Sequence, residues 1–260
     1  MSEWPGQQPK EGTLHLLPKA MLLLRLLTWD VKDTLLQLRL PVGECYSAAA
    51  RSWGLEVSPR AMEAAFHQAH RERSQRFPNY GRAQGMGCEE WWLGLVHDTF
   101  RRCGLAQEVD AGLLGTLAEQ LYRDYSRAES WEPLPGALET LRQLQEAGLP
   151  MAAVSNFDRR LAELLHNCGL RGHFSWVLNA EEAGFAKPDP RIFLEALRLS
   201  GADPGLAAHV GDDYEHDYRA ARQAGMHAFL LAGTGTPPAG VPRGHLLESL
   251  SQLPSRIGRA

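Results

Sequence analysis

The second half of the chain alternates short apolar segments with longer segments of helical period, and this alternation constrains the fold more than any other feature. The short segments suit buried strands, and the longer ones repeat apolar residues at helical spacing. The strand candidates are LPMAAVSN, FSWVLNA, AAHVGDD and HAFLLAG. The helix candidates are ALETLRQLQEAG, RRLAELLHNCGL, PRIFLEALRLSG and DYRAARQAGM. The pattern predicts a parallel sheet covered by helices on both faces.

A further strand candidate, Leu22–Trp29, lies far ahead of the others in the chain. The intervening residues 37–130 carry amphipathic helical patterns and no convincing strand: GECYSAAARSWGL, PRAMEAAFHQAHRERS, CEEWWLGLVHDTFRRCGL and VDAGLLGTLAEQLYRDYS. We therefore expect an α/β fold whose doubly wound, Rossmann-like parallel-sheet core comprises residues 21–36 and 131–260. An all-helical cap, residues 37–130, is expected as an insertion after the first strand.

Composition and charge argue against several classes of protein. The chain has a net charge of -4 and no basic block, so nucleic-acid binding is not expected. No apolar run reaches membrane-spanning length, and Lys19 and Arg25 interrupt the run that could suggest a secretory signal. The four cysteines lie far apart without C-x-x-C spacing, which is typical of reduced thiols in an intracellular, cytoplasmic protein. Residues 1–20 are expected to form a flexible N-terminal tail, and Met21 is an alternative start.

Polar side chains recur where the predicted strands stop. Asp30 ends the first strand, Ser155 ends MAAVS, and Asp212 ends HVGD, while Lys187 precedes a predicted helix. The carboxyl ends of the strands in a doubly wound sheet line one crevice, and ligands bind there. These residues, distant in sequence, are therefore expected to converge.

Four motifs, in order, resemble those of the haloacid dehalogenase-like hydrolase superfamily, in the branch with a helical cap after the first strand. They are Asp-x-x-x-Thr at DVKDT, an apolar strand ending in Ser at MAAVSN, Lys-Pro at AKPDP, and Gly-Asp-x-x-x-x-Asp at GDDYEHD. Each motif is weak alone, but their order and context make the set specific. The resemblance covers roughly residues 21–240.

The resemblance implies a magnesium-dependent phosphohydrolase that works through an aspartyl-phosphate. Asp30 would be the nucleophile, and Mg²⁺ would be held by Asp30, the backbone carbonyl of Lys32, and Asp212. Asp217 would orient waters on the metal or the side chain of Lys187.

The same resemblance implies a set of groups around the transferred phosphoryl group. Ser155 and the backbone amide of Asn156 would donate hydrogen bonds to its oxygens. Lys187 would supply a fixed positive charge beside the nucleophile. Thr34 would cap or hydrogen-bond the turn that follows Asp30.

The chain departs from this pattern at Lys32. Phosphatases of the superfamily typically carry a second Asp two residues after the nucleophile, and this residue protonates the leaving oxygen and then activates water. Asp33 stands one position further on, where the family usually has Gly. If Asp33 were the acid/base, Val31 would be the nucleophile, which is chemically impossible, and Thr34 supports the same register. The acid/base carboxylate is therefore absent, and we expect weak turnover.

Other interpretations of these residues stay open at the level of sequence. Ser155 or Asp217 could cap the helix that follows it, and Lys187 could be an exposed loop lysine. In the cap, residues 76–81 (RFPNYG) could reach over the site or form an ordinary turn. The two tryptophans at 91–92 favour helix packing over a ligand-binding box.

Two functions follow from the sequence. The first is a Mg²⁺-dependent phosphohydrolase-like enzyme that acts weakly on an unknown small phosphorylated metabolite. The second is a catalytically silent relative that binds a phosphorylated ligand or a protein partner. The dehalogenase branch has Tyr where this chain has Lys32 and uses no metal. The acids Asp212 and Asp217 favour a metal site over that branch.

Overall fold

A parallel sheet of six strands forms the centre of the computed structural model, which describes residues 24–105, 110–232 and 238–257. Every pair of neighbouring strands in it is parallel. In spatial order the strands are β5 (Trp176–Asn179), β4 (Met151–Ser155), β1 (Leu26–Trp29), β6 (Ala207–Gly211), β7 (His227–Leu231) and β8 (Leu246–Leu247). The sheet therefore grows outward from β1 in both directions, which confirms the predicted doubly wound core.

Helices cover both faces of this sheet because alternate side chains of each strand point to opposite faces. Leu27 and Trp29 pack into one apolar cluster, and Leu26 packs into the other. All three side chains are almost fully buried. The helices of the core are α5 (Ala137–Glu146), α6 (Leu161–Asn167), α7 (Ala180–Ala183), α8 (Arg191–Ser200), α9 (Ala220–Gln223) and α10 (Leu253–Ile257).

The segment between the first strand and the rest of the sheet is helical, as its amphipathic patterns predict. It contains α1 (Val42–Arg51), α2 (Pro59–Arg76), α3 (Cys88–Arg102) and α4 (Ala111–Asp124), with a 3₁₀ segment at Asn79–Gln84. We call the region from α1 to α4 the cap. The cap has apolar clusters of its own, and the larger one includes Tyr46, Phe100 and Leu117. The boundaries at residues 37 and 130 stay predictions.

A short antiparallel ribbon joins the cap to the core. It pairs β2 (Leu36–Leu38) with β3 (Trp131–Pro133), so that Leu38 lies opposite Trp131. The expectation that no strand occurs between residues 37 and 130 is therefore wrong at Gln37 and Leu38. A strand of three residues is too short to show an alternating pattern, so its pairing becomes visible only in three dimensions.

Other elements differ from the sequence prediction at their ends. The helical segment after β6 begins at Tyr214 with a π-helical turn, Tyr214–Arg219, rather than at Asp217. The predicted tail, residues 1–20, and the start of the first strand lie outside the described residues. No helix of the described part is long and apolar enough to cross a membrane. All four cysteines are free thiols.

Candidate active site

The nucleophile candidate lies at the centre of the sheet edge because β1 is a central strand. Asp30 follows β1 directly, and its backbone N–H donates to the carbonyl of Val210 on β6 at 2.8 Å. Its side chain is almost fully buried. On the other side, Ser155 ends β4, and its hydroxyl donates to Asp30 Oδ1 at 2.9 Å. Ser155 does not cap a helix, because α6 begins only at Leu161 and has no side-chain cap.

Lys187 is buried between two carboxylates, so the interpretation as an exposed loop lysine is wrong. It is 4% exposed, and its Nζ lies 2.5 Å from Asp30 Oδ1 and 2.5 Å from Asp217 Oδ1. Burial disfavours the ammonium, but Asp217 and Asp30 together raise the pKa of Lys187 above its ordinary value. Burial raises the pKa of Asp30, against the opposing charge of Lys187. The site thus holds a permanent cation against Asp30.

Asn156 fixes the backbone from which Lys187 projects. Its side-chain amide donates to the carbonyl of Lys187 at 2.7 Å, and its Oδ1 accepts from the N–H of Lys187 at 2.7 Å. The sequence analysis assigned a role only to the backbone amide of Asn156, and this side-chain clamp was not predicted. A reciprocal pair of hydrogen bonds holds both backbone groups at once, which limits the positions open to the lysine.

Asp217 sits inside the π-helical turn and not at a helix start, so its interpretation as an N-cap is wrong. The N-cap is Asp213, whose Oδ1 accepts from the N–H of His216. The N–H of Asp213 in turn donates to Asp217 Oδ2 at 3.0 Å. A Cβ at Gly211 would lie 2.2 Å from Asp217 Cγ, so glycine is required for the carboxylate to approach the end of β6. Burial alone would raise the pKa of Asp217, but Lys187 holds it below the ordinary value.

A buried histidine, which was not predicted from the sequence, hydrogen-bonds Asp217. His209 on β6 is fully buried, with Nε2 3.1 Å from Asp217 Oδ1 and Nδ1 2.8 Å from Thr28 Oγ1. Burial lowers the pKa of His209, which favours the neutral ring. A carboxylate only accepts, so Nε2 carries the proton and Nδ1 accepts from the Thr28 hydroxyl. The available signal was a single polar residue within the apolar strand AAHVG.

Asp212 and Thr34 connect the loops that follow β6 and β1. The buried Thr34 hydroxyl donates to Asp212 Oδ1 at 2.9 Å. The sequence analysis expected Thr34 to bond its own turn, and the observed partner is the acid of the neighbouring strand. Burial, and then the charges of Asp30 and Asp217, raise the pKa of Asp212 to about 7. Three carboxylates are thus crowded at one edge of the sheet.

The sequence of this chain is similar to those of known proteins. A family model described as haloacid dehalogenase-like hydrolase matches residues 24–225. The chain belongs to this family. The "Haloacid dehalogenase-like hydrolase domain-containing protein 3" of Bos taurus is 52% identical over 234 residues, which cover 88% of this chain and 92% of the relative. The protein of the same name from Homo sapiens is 51% identical over 234 residues, with the same shares.

Solved structures agree with this membership at the level of the fold. The 2-haloacid dehalogenase from Pseudomonas syringae pv. Tomato DC3000 has a TM-score of 0.64 at 25% identity, covering 91% of this chain and 99% of that chain. The HAD-hydrolase YfnB from Bacillus subtilis, bound to magnesium, has a TM-score of 0.67 at 18% identity, covering 90% and 98%. The HAD phosphatase from Thermococcus onnurineus has a TM-score of 0.63 at 21% identity, covering 90% and 98%.

The residues of this haloacid dehalogenase-like chain fit a divalent cation. One carboxylate oxygen from each of Asp30, Asp212 and Asp217 lies within 4.8 Å of the other two. Carboxylate oxygens are the donors that Mg²⁺ prefers. Burial is the main cause of the raised pKa of Asp212, and the charges of Asp30 and Asp217 add a repulsion that a bound cation would relieve. The chemistry and spacing of the donor set therefore agree with the magnesium expected from the sequence.

The chain departs from the family pattern in the turn that follows Asp30. Lys32 and Asp33 form an ion pair in which each side chain is about half exposed, at 51% and 49%. Asp33 has a φ of 62°, in the left-handed region where glycine is the usual residue and Asp is tolerated. This backbone geometry accounts for the glycine that the family usually has there. The side chains of Lys32 and Asp33 both face the large cavity that also contains Asp30.

The cap touches the core next to this site through the loop at residues 76–81. The Tyr80 hydroxyl donates to the carbonyl of Asn156 at 3.2 Å, and Asn79 Nδ2 donates to the carbonyl of Ala180 at 3.2 Å. Both acceptors lie in segments that directly follow strands of the sheet, β4 and β5. This loop therefore bridges cap and core beside Lys187, as the interpretation of a loop over the site requires.

Proposed function

We propose that this chain is a Mg²⁺-dependent phosphohydrolase that forms an aspartyl-phosphate on Asp30 and acts on a small phosphorylated metabolite. One observation carries the proposal: Ser155 Oγ and Lys187 Nζ both bond the same oxygen of Asp30, within a cluster of carboxylates suited to a divalent cation. Such an arrangement combines a nucleophile, a fixed cation and a metal-binding donor set at one point.

The first half of the reaction has its nucleophile and its fixed cation in position, but it lacks the carboxylic acid that usually protonates the leaving oxygen. A carboxylate oxygen of Asp30 attacks phosphorus, the bond from phosphorus to the leaving oxygen breaks, and the leaving oxygen takes a proton from water. Lys187 and Ser155 stabilise the charge on the phosphoryl oxygens in this step. The cation would be held by Asp30, Asp212, Asp217 and the backbone carbonyl of Lys32. When bound, Mg²⁺ supplies positive charge that offsets the repulsion between carboxylate and phosphate.

The second half of the reaction lacks the carboxylate that usually acts as the general base. Water must attack the aspartyl-phosphate, lose a proton, and release inorganic phosphate with Asp30 restored. The residue two positions after the nucleophile is Lys32, an ammonium already paired with Asp33, and it offers no base. General acid–base catalysis contributes roughly 10²–10⁴-fold, so turnover is expected to be slow by about this factor.

A phosphomonoester panel with and without Mg²⁺ tests the proposal. Wild-type protein should release inorganic phosphate from at least one ester in a metal-dependent manner, and Asp30→Asn should not. Asp203→Asn is a matched control, because Asp203 caps a short 3₁₀ segment away from the site. Equal phosphate release by wild type and Asp30→Asn would exclude the assigned chemistry.

A second function has one observation in its favour, the ammonium of Lys32 where the acid/base carboxylate is expected. In this alternative the protein binds a phosphorylated ligand, or a protein partner, without hydrolysis. Thermal unfolding with Mg²⁺ and inorganic phosphate would reveal binding in the absence of turnover. Stabilisation by phosphate together with no hydrolysis of any ester would favour this function over the first.

We also propose that the protein acts inside the cell. Four free thiols, of which Cys88 is buried, suit a reducing intracellular compartment such as the cytoplasm.

A further inference from the structure

A large cavity extends from Asp30 into the space between core and cap. Its volume is about 1150 Å³, and its walls include Asp30, Ser155 and Lys187 at one end and side chains of α1 to α4 at the other. Sites for drug-sized ligands typically measure roughly 300–1,000 Å³. A phosphorylated acid of two or three carbons would leave most of this cavity unfilled. The cavity therefore has the size for a phosphate ester with a substantial organic body.

The wall next to the phosphoryl end of the cavity is aromatic. Tyr80, whose hydroxyl bonds the Asn156 carbonyl, packs edge-on against Trp91 with ring centroids 5.5 Å apart. Trp92 continues this wall, 6.3 Å from Tyr80 at an interplanar angle of 39°. His70 adds a fourth ring, edge-on to Trp91 at 5.6 Å. We call Tyr80, Trp91, Trp92 and His70 the aromatic wall. Flat ring systems gain offset or edge contacts of this kind beyond simple burial.

Several cations that line the cavity already have anionic partners. Arg160 is 8% exposed, pairs with Asp158, and lies over the Tyr122 ring at 3.6 Å. Its positive charge is therefore compensated by a buried carboxylate before any ligand enters. In the same wall Lys32 pairs with Asp33 and Arg191 pairs with Asp189. Arg71 also lines the cavity and has no ion pair among the described residues. A second anionic group on the substrate would have to compete with the aspartates at the three paired cations.

One polar atom of the aromatic wall has no partner among the described residues. Trp92 Nε1 is buried, and its N–H donates to no acceptor among the described residues. A buried N–H without an acceptor is unfavourable, because it has lost its hydrogen bond to water. A ring that carries a carbonyl or ring-nitrogen acceptor would satisfy this donor, whereas an aliphatic chain would not.

We infer that the substrate is a phosphomonoester whose body is a flat aromatic ring system with a hydrogen-bond acceptor. The phosphoryl group lies at Asp30, and the ring lies against the aromatic wall with its acceptor toward Trp92. This assignment rests on the proposed function for the phosphoryl end. It disfavours small carboxylated esters such as 2-phosphoglycolate.

Calorimetric titration of the full-length Asp30→Asn chain in Mg²⁺ tests the inference without turnover. The probes are 4-methylumbelliferyl phosphate, 2-phosphoglycolate, and phosphate-free 4-methylumbelliferone. We expect the aromatic ester to bind at least tenfold more tightly than 2-phosphoglycolate. Adding Trp92→Phe, which keeps a ring but removes the N–H, should reduce that ratio at least threefold. Trp53→Phe is the control, since Trp53 is exposed and is not among the residues that line the cavity.

The outcomes separate this inference from the proposed function. Equal binding of the two esters, or a ratio unchanged by Trp92→Phe, overturns the inference and leaves the phosphoryl site intact. Binding of 4-methylumbelliferone that weakens only in Trp92→Phe, with no binding of either ester, supports the aromatic site and overturns the proposed function. Failure of all three probes to bind overturns the inference as well.

Discussion

The two lysines of the site, Lys187 and Lys32, each pair with aspartate but lie in opposite surroundings. Lys187 is buried, bonds two carboxylates, and has its backbone clamped by Asn156. Lys32 is half exposed and pairs with its sequence neighbour Asp33 on a turn. In the part of the site proposed to form an aspartyl-phosphate, the lysine is therefore buried and hydrogen-bonded at both its side chain and its backbone. The part that would hydrolyse it has neither the usual side chain nor a fixed environment.

The largest expected effect comes from removing the buried lysine. Lys187→Met leaves the carboxylates of Asp30 and Asp217 buried without their cation, and breaking such a pair typically costs about 3–5 kcal/mol. Urea unfolding should show this loss in the free energy of unfolding, and phosphate release should vanish. Bound Mg²⁺ would offset part of the loss of stability. If Lys187→Met is as stable as wild type in EDTA, the buried lysine does not stabilise this part of the site.

The next largest effect is expected from restoring the missing carboxylate. Lys32→Asp should raise phosphate release by roughly 10²–10⁴-fold, because it supplies the general acid and base. Lys32→Met is the matched control, since it removes the same charge without adding a carboxylate. Equal gains in both variants would show that the ammonium inhibits, and that the absent acid/base is not the limit.

The pH dependence of stability reports on the crowded acids of the metal-free protein. The pKa of Asp212 rises from 3.8 to about 7, so between these values the native state holds a proton that the unfolded chain has lost. The free energy of unfolding should therefore fall as pH rises through this window. Burial gives Asp30 a shift in the same direction, so Asp212→Asn should reduce the fall without removing it. Urea unfolding in EDTA at several pH values measures this slope, and an unchanged slope in Asp212→Asn would contradict it.

A smaller effect is expected from the histidine beneath the buried lysine. His209→Leu removes one donor from Asp217 and should lower the free energy of unfolding by about 1–3 kcal/mol. His209→Gln, which can still donate, should recover part of the loss. Thr28→Val removes the partner of the other ring nitrogen and leaves the contact with Asp217 intact. Thr28→Val also removes the contact of this hydroxyl with the carbonyl of Ala208 at 3.2 Å. A loss in His209→Leu no larger than the error of the measurement would contradict a stabilising contact between His209 and Asp217.

The smallest effect belongs to the exposed pair. Lys32→Met should change the free energy of unfolding by less than about 1 kcal/mol, because exposed ion pairs contribute little. Urea unfolding of this variant beside Lys187→Met provides the direct contrast. A loss comparable with that of Lys187→Met would show that the turn is as firmly held as the buried cluster.

The positions of the main site residues could be predicted from the sequence because parallel strands end at a common edge. Asp30, Ser155 and Asp212 follow three adjacent strands, and their proximity follows from that topology. The supporting contacts could not be predicted. His209 stands out as a polar residue in an apolar strand, but its partners Thr28 and Asp217 are set by strand register and by the turn after β6. Thr34 likewise finds its partner on another strand.

Helix starts and very short strands also could not be predicted from the sequence. The π-helical turn at Tyr214–Arg219 places Asp217 within the turn, and no local pattern signals such an insertion. The ribbon of β2 and β3 depends on two segments almost a hundred positions apart, each too short to have a periodicity. Long amphipathic patterns, such as that of α3, were predicted correctly because buried residues recur from Cys88 to Phe100 along the helix.

The pairing of Leu38 with Trp131 has an evolutionary consequence. The chain leaves the sheet and returns to it through neighbouring positions of one ribbon, so everything between them is topologically a hairpin loop. A tight turn of a few residues could close the same ribbon without disturbing any strand order or the acids at the sheet edge. We therefore expect that the cap can be exchanged as a module while the strand order and the acids at the sheet edge stay unchanged.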